Sequence, residues 1–338
     1  MWLLRISGLL MILGFLSAAY ADHPVAGLQS GAAGPIITSS GKTAKKGMGA
    51  IGINFQHVDF DNFSNERLSE LTDQDEDVHG TSSLQRTSID AVFGVTNNLT
   101  LGISVPFVKR NNLKETAHHG SDEEFELLGD AEGLGDVQAF GQYQFYSNPT
   151  SGTFISALFG VKLATGDTDE KSQEGERLEV ELQPGTGSTD PFLGFAVSKS
   201  LGLWNLDTNL LYTMATEGSQ DTDLGDILNY NAALSTLLSS LFNSRDDHKS
   251  HGHDNHMTDN LNLVLEMNGE WRDRIEIDNE TERNSGGNVV YLSPGVSLTT
   301  YGWVFSALAG WPVVDDLHGE QSDPEFRFVF KLTKLIGQ

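Results

Sequence analysis

The chain has 338 residues, no cysteine and a formal charge of −26, from 21 Lys and Arg against 47 Asp and Glu. So negative a surface repels phosphate backbones, which argues against a nucleic-acid partner. The lack of cysteine excludes disulfides, thiolate metal sites and cysteine nucleophiles. The 18 Phe, 7 Tyr and 5 Trp indicate an ordered, β-rich protein.

The first 21 residues have the features of a secretory signal peptide. Arg5 supplies positive charge, residues 8–16 form a short apolar stretch, and residues 19–21 are an A-x-A cleavage site. An uncleaved anchor helix is the alternative, and the small residues after the apolar stretch disfavour it. The mature chain is therefore predicted to start near Asp22, with residues 22–47 as a periplasmic N-terminal segment.

From residue 48 onward, segments of about ten residues alternate apolar with polar or small side chains, which is typical of β-strands. In one of them, Leu265 and Met267 fall on one face, while Glu266 and Asn268 fall on the other. Twelve such segments begin near residues 48, 84, 99, 134, 152, 190, 202, 226, 260, 288, 301 and 325.

The connections between these segments are alternately short and long for most of the chain. Short turns lie at 96–98, 147–152, 200–201 and 299–300, and long acidic connections at 70–77, 122–132, 167–181, 217–226, 273–282 and 315–325. This pattern predicts an all-β, transmembrane antiparallel β-barrel of about 12 strands over residues 48–335, with long acidic extracellular loops and short periplasmic turns. A soluble β-sandwich or jelly roll also alternates, but aromatic segment ends opposite persistently polar faces favour the barrel.

Four stretches of the chain resemble one known family. They are GLGD at 133–136, LATGD at 163–167, LQPGTGS at 182–188 and LSPGV at 292–296. They are similar to the family labelled MetA-pathway of phenol degradation, a group of outer-membrane barrels of Gram-negative bacteria, and the resemblance spans roughly residues 45–335. It implies a barrel in the cell outer membrane that passes small molecules, aromatic compounds among them, and it implies no catalytic residues.

Short stretches that resemble nucleotide-binding motifs lack the neighbouring structure that such motifs require, and two common catalytic motifs are absent from the sequence. The glycines at 133–136 precede an alternating strand rather than a helix, so they do not form a dinucleotide fingerprint. The glycines at 185–187 lack the lysine and helix of a phosphate loop, and neither G-x-S-x-G nor H-E-x-x-H occurs. We therefore expect no enzyme activity and no cofactor.

The connection after the eighth segment breaks the alternation, since a short turn is expected there and an insertion at residues 243–259 occurs. Four of its residues suit a divalent metal, because imidazole with nearby carboxylate is a ligand set for zinc, copper(II) and nickel. The predicted metal ligands are His248, His251, His253 and His256. The alternative is a flexible polar insertion in which the histidines are incidental.

The polar faces of the segments supply candidate lumen-lining residues. These are Arg86, Asp90, Asp136, Gln138, Gln142, Lys162, Asp207, Asn209, Asn229, Asn231, Glu266, Glu270, Arg272, Arg327 and Lys331. Each is alternatively a member of a structural ion pair that closes a narrow barrel; Arg86 with Asp90 and Glu270 with Arg272 are such pairs.

The sequence predicts an outer-membrane channel for passive passage of small-molecule solutes, surrounded by outer-membrane lipid. One alternative is a metal-associated barrel that binds zinc, copper or nickel through the periplasmic His-rich loop, and another is a structural or surface-interaction barrel without transport. The acidic loops are either a solvated surface or a rim that collects divalent cations.

Overall fold

The structure, a computed structural model, describes residues 34–74, 76–116, 125–238 and 260–337. The predicted signal peptide and the His-rich insertion at 243–259 lie outside the described residues. Within the described ranges, no helix is long and apolar enough to cross a membrane.

Twelve antiparallel strands form the wall of a closed barrel. They are β1 (Gly49–Asp61), β2 (Ser83–Gly94), β3 (Leu99–Thr116), β4 in two parts (Phe125–Leu134 and Gln138–Asn148), β5 (Thr153–Lys162), β6 (Asp190–Leu201), β7 (Trp204–Thr213), β8 (Ile227–Leu237), β9 (Asn260–Arg272), β10 (Gly287–Thr300), β11 (Trp303–Leu317) and β12 (Asp323–Ile336). Each strand pairs with the next, and β1 also pairs with β12, which closes the barrel. The predicted fold is confirmed, including the strand number.

The fourth wall strand is interrupted where it reaches the inner cavity. Its upper part pairs with β3 from Phe107 opposite Leu134, and its lower part pairs with β3 from Ser104 opposite Gln138. Residues 135–137 lie between the two parts outside the strand ladder. This break sets the position of Asp136.

Polarity is inverted across the wall, as a barrel in lipid requires. On β9, Leu265 is 45% exposed, whereas its neighbour Glu266 is fully buried. On β12, Phe330 is 38% exposed and the adjacent Lys331 only 7%. Apolar side chains therefore form the outer belt that faces the bilayer, and polar side chains point inward.

The long extracellular connections fold onto one another above the barrel. The first contains α1 (Asn65–Asp73), whose N-cap Ser64 accepts a hydrogen bond from the backbone of Arg67. The guanidinium of Arg67 pairs at 2.9 Å with Glu320 in the last loop. Three two-residue strands, Thr222–Asp223, Glu276–Ile277 and Glu280–Thr281, form a small separate sheet.

Candidate functional site

The residues predicted to line the lumen lie on the inner face of the wall. All of them are buried except Lys162 and Arg272, whose side chains are 15% and 11% exposed. Arg272 lies 3.9 Å from the carboxylate of Glu270, so this ion pair forms as the sequence suggested. Asp90 accepts a hydrogen bond of 2.6 Å from Ser104.

Residues 34–46 cross the lower half of the lumen, and we call them the luminal segment. At mid-barrel, Lys331 Nζ donates a 2.6 Å hydrogen bond to the carbonyl of Ile36. At the periplasmic mouth, the backbone of Lys46 donates to Asn97 Oδ1 in the first short turn. Residues 34–46 belong to the stretch predicted as a periplasmic N-terminal segment, 22–47, and their backbone groups find partners on the inner wall.

Glu266 holds the upper end of the luminal segment. Its carboxylate accepts hydrogen bonds from the backbone N–H groups of Ile36, Ile37 and Thr38 and from Thr38 Oγ1, the last two of these at 2.8 Å. Asn268 Nδ2 donates a further hydrogen bond of 3.1 Å. Successive N–H groups that converge on one anion form a nest, which compensates the burial of the negative charge.

The lower part of the luminal segment is held by polar side chains of the wall. The backbone of Ser39 donates to Asn209 Oδ1, and the backbone of Gly41 donates to Ser198 Oγ, both at 2.8 Å. The carbonyl of Gly41 accepts hydrogen bonds from Gln144 Nε2 and Ser156 Oγ. A Cβ on Gly41 would lie 2.5 Å from the carbonyl oxygen of Phe154, so the approach is too close for a larger residue.

Residues 163–189 fold into the barrel from the extracellular side, and we call them the inward loop. Asp136 anchors it, since Oδ1 accepts from the backbone of Gly166 and Oδ2 accepts from the backbone of Thr186, both at 2.9 Å. A Cβ on Gly166 would lie only 2.7 Å from Gly185 Cα. The GLGD, LATGD and LQPGTGS stretches therefore meet at one carboxylate.

Lys162 balances the charge beside this anchor. Its Nζ lies 2.5 Å from Asp190 and 3.6 Å from Asp136, and it donates a 3.1 Å hydrogen bond to Ser188. The cation is shared between two buried carboxylates, which offsets part of their desolvation. Of the predicted lumen residues, Asp136 and Lys162 thus hold a loop in place.

A cavity of about 210 Å³ lies between the inward loop and the upper wall. Phe60, Leu84 and Phe192 contribute apolar surface, and Gln138 and Asn229 are among its polar lining residues. Gln138 Oε1 is buried and has no hydrogen-bond partner among the described residues. The cavity therefore combines apolar surface with polar and charged side chains, Lys162 and Arg272 among them.

His79 joins three elements at the edge of this cavity. Its Nδ1 lies 3.0 Å from Glu181 of the inward loop, and its Nε2 lies 3.2 Å from Glu115 at the end of β3 and 3.7 Å from Glu179. Burial opposes the charged imidazole, but the hydrogen bonds to Glu115 and Glu181 outweigh it and hold the pKa of His79 well above its ordinary value. His79 therefore lies among three carboxylates that favour its charged form.

Sequence reasoning did not single out the luminal segment, His79 or Glu115. Residues 34–46 carry no strand period that would place them inside the barrel. The contact between His79 and Glu115 joins residues 36 positions apart, and spacing alone gives no sign of it.

The predicted metal ligands His248, His251, His253 and His256 lie outside the described residues. Within the ranges that the structure describes, no group of three or more His, Asp or Glu side chains is arranged to hold a metal ion. The metal hypothesis therefore stands on the sequence pattern alone.

Comparison with known proteins gives a match to a family model and matches to solved structures. The model of the MetA-pathway of phenol degradation family matches residues 74–256, more than half of the chain. The crystal structure of the COG4313 outer membrane channel from Pseudomonas putida F1 superimposes with a TM-score of 0.54 at 15% identity, covering 87% of this chain and 97% of that chain. Similarity at this level of identity shows a shared outer-membrane barrel fold.

Two further solved structures have TM-scores below 0.5. A Pseudomonas aeruginosa FadL homologue gives 0.40 at 8% identity, and the CymD monoaromatic hydrocarbon channel gives 0.36 at 9%. Each comparison covers 87% of this chain and 90% of the other. None of the curated proteins matches the sequence.

Proposed function

The chain belongs to the MetA-pathway of phenol degradation family, and from this premise we propose that it is an outer-membrane channel for the passive passage of small molecules. Its solutes include aromatic and other hydrophobic compounds. A cleaved signal peptide directs the chain to the outer membrane of a Gram-negative cell. The proposal assigns no catalytic residue and no cofactor.

One observation carries this proposal: polar side chains lie on the inner face of the closed barrel at each level, with apolar side chains such as Phe140 and Leu158 between them. Asp136 and Lys162 lie near the extracellular end, Glu266 lies at mid-barrel, and Gln142 and Ser198 lie lower. The interior of outer-membrane barrels is polar and in porins holds a water-filled channel, and the polar side chains found here are compatible with such a hydrated path. Twelve strands also lie between the narrow barrels filled by side chains and the wide ones that enclose a channel.

The cavity between the inward loop and the upper wall supports the proposal that small aromatic compounds are among the solutes. A dry cavity of about 150 Å³ is enough to bind benzene, and this cavity measures about 210 Å³. Phe60 and Phe192 offer surfaces for a ring, and Gln138 and Asn229 are polar side chains in the same lining. A phenol-like compound matches both features.

Liposome swelling tests the channel directly. The purified mature protein is reconstituted, and swelling rates are measured in isotonic neutral solutes of increasing size, with protein-free liposomes as the control. We expect swelling with the smallest solutes and a sharp size limit. Rates equal to the control for every solute would overturn the proposal.

A second candidate function follows from the His-rich insertion. Four histidines within nine positions supply neutral imidazole ligands, and adjacent Asp246, Asp247 and Asp254 supply carboxylates. We propose a metal-associated barrel as the alternative, with zinc, copper(II) or nickel bound at this insertion. Metal titration of the wild type and of a variant that lacks the four histidines distinguishes it from the channel.

A further inference from the structure

Three basic side chains from separate elements meet at the cavity between the inward loop and the upper wall. His79 lies in the first extracellular connection, Arg110 on β3 and Arg272 at the end of β9, and all three line the cavity. We call them the basic cluster. Glu181 of the inward loop lines the cavity too, and its carboxylate lies 3.0 Å from His79 Nδ1. The inward loop therefore places one of its own carboxylates at the basic cluster.

The basic cluster stabilises the ionised form of Glu181. Burial raises the pKa of this carboxyl group. The hydrogen bond and charge of His79, followed by the charges of Arg110 and Arg272, outweigh burial, so the pKa lies below its ordinary value. A site that stabilises one ionised carboxylate is able to stabilise another, and the planar guanidinium of arginine matches the geometry of a carboxylate.

Carboxylates of the wall and of the inward loop limit the charge that the basic cluster is able to accept. Glu115 lies 3.2 Å and Glu179 lies 3.7 Å from His79 Nε2. Glu270 lies 3.9 Å from Arg272. These three carboxylates do not line the cavity, but they offset part of its positive charge. The basic cluster therefore suits a ligand with a single carboxylate.

We propose that the cavity is a binding site for small aromatic monocarboxylates, whose charged group replaces that of Glu181 at the basic cluster while the ring contacts Phe60 and Phe192. This inference rests on the proposed channel function and names a class of solute for it. The exchange leaves the number of charges in the cavity unchanged, because one carboxylate leaves as another enters. It therefore avoids the burial of an additional charge.

Glu181 is able to leave the basic cluster while the inward loop stays in place. Its side chain is 27% exposed, so solvent already reaches it. The short turn that carries it, Val180–Leu182, is fixed separately, because Leu178 and Leu182 pack in an apolar cluster with Leu113 of β3. The exchange therefore requires the rotation of one side chain rather than the movement of the loop.

Competition with Glu181 determines which anions are able to bind. A carboxylate tethered in the same chain competes at an effective concentration on the order of millimolar. An anion without an apolar part gains no contact that Glu181 lacks, whereas a ring also buries apolar surface against Phe60, Leu84 and Phe192. The site should therefore prefer benzoate to acetate, and also to benzamide, which has the ring but not the charge.

Calorimetric titration of the purified mature protein in detergent with sodium benzoate tests the site. Arg110→Gln removes one cation and should weaken benzoate binding at least about tenfold. The matched control is Lys109→Gln, because Lys109 is the neighbouring residue on β3, does not line the cavity and pairs with Glu132 at 2.8 Å. This control should bind benzoate as the wild type does. Acetate and benzamide should each bind the wild type at least about tenfold more weakly than benzoate.

Glu181→Gln removes the competing carboxylate and should raise the affinity for benzoate at least about tenfold, a gain that misfolding does not produce. Unchanged affinity in either Arg110→Gln or Glu181→Gln would overturn the site. Equal affinity for benzoate and benzamide, or no benzoate binding by the wild type and Glu181→Gln, would overturn it as well.

Liposome swelling with neutral solutes, measured on the same preparations, separates the site from the channel. Swelling without benzoate binding would reject the carboxylate site and leave the channel intact. No swelling with any solute would contradict the channel, and with it the role of aromatic carboxylates as its solutes.

Discussion

The backbone N–H of Thr38 donates a 2.8 Å hydrogen bond to Glu266, although the two residues lie 228 positions apart in the chain. This contact fastens a segment that precedes the first strand to the middle of the ninth. It also satisfies a carboxylate that would otherwise be a costly buried charge. The interior of this barrel is therefore stabilised by polar contacts between the wall and two segments that fold into it.

Asp136 should control the order of the inward loop. Asp136→Ala removes the acceptor of Thr165, Gly166 and Thr186, and we expect the local stability of the loop to fall by about 2–3 kcal/mol. Lys171 and Arg177 are exposed in this loop, so trypsin cleavage there reports its opening. Cleavage should be more than about tenfold faster than in the wild type.

The matched control for this experiment is Asp90→Ala. Asp90 is a buried carboxylate of the same lumen, but its recorded hydrogen bond is to Ser104 on β3. Cleavage at Lys171 and Arg177 should stay at the wild-type rate in that variant. Equal rates in both variants would mean that Asp136 does not hold the loop.

His79 should make the extracellular end of the barrel less stable as pH rises. Its pKa is raised in the folded protein, so its contribution is fully present below its ordinary pKa of about 6.5 and is lost as pH passes through the raised value. His79→Gln should therefore lower the thermal stability most at about pH 6, and the difference from the wild type should shrink toward alkaline pH. The measurement is thermal unfolding in detergent at a series of pH values.

The groups that face His79 determine the sign of this effect. Glu115 and Glu181 hydrogen bond to the imidazole, and Glu179 lies nearby, so loss of the imidazolium leaves carboxylates facing one another. The control is His57→Gln, because His57 pairs with a single carboxylate, Asp59 on β1, whereas His79 faces three. A difference for His79→Gln that grows with pH would contradict the assignment.

The strands of the barrel wall can be predicted from the sequence, whereas the segments that fold into the lumen cannot. A period of two places Gln142 and Glu266 inside and Leu265 outside, because neighbouring strand residues point to opposite faces. Residues 34–46 have no such period, and their position depends on contacts with strands more than a hundred residues away. The meeting of Asp136 with Thr186 likewise depends on loop closure, which local pattern does not specify.

The acidic extracellular loops should make the channel prefer cations at low salt. A rim of one charge sign concentrates counter-ions, and this effect fades as the Debye length falls to about 3 Å at 1 M salt. Reversal potentials across a salt gradient should show cation preference that weakens as both salt concentrations rise. Anion preference at low salt would indicate that inner cations such as Arg86, Lys162, Arg327 and Lys331 dominate instead.

The His-rich insertion should bind divalent metal with moderate affinity. Ligating imidazole must be neutral, so binding of Zn²⁺, Cu²⁺ or Ni²⁺ should weaken steeply from about pH 7 to about pH 5. Replacing His248, His251, His253 and His256 by Ala should abolish binding in a calorimetric titration while solute passage stays unchanged. Equal affinity in the quadruple variant would place the metal on the acidic loops.

The central claim is that this barrel is a channel, and the ionic current through the purified mature protein in a planar bilayer tests it most directly. The account predicts discrete current steps at fixed voltage that are absent from protein-free bilayers. A bilayer that stays silent although the protein is folded and inserted would contradict it.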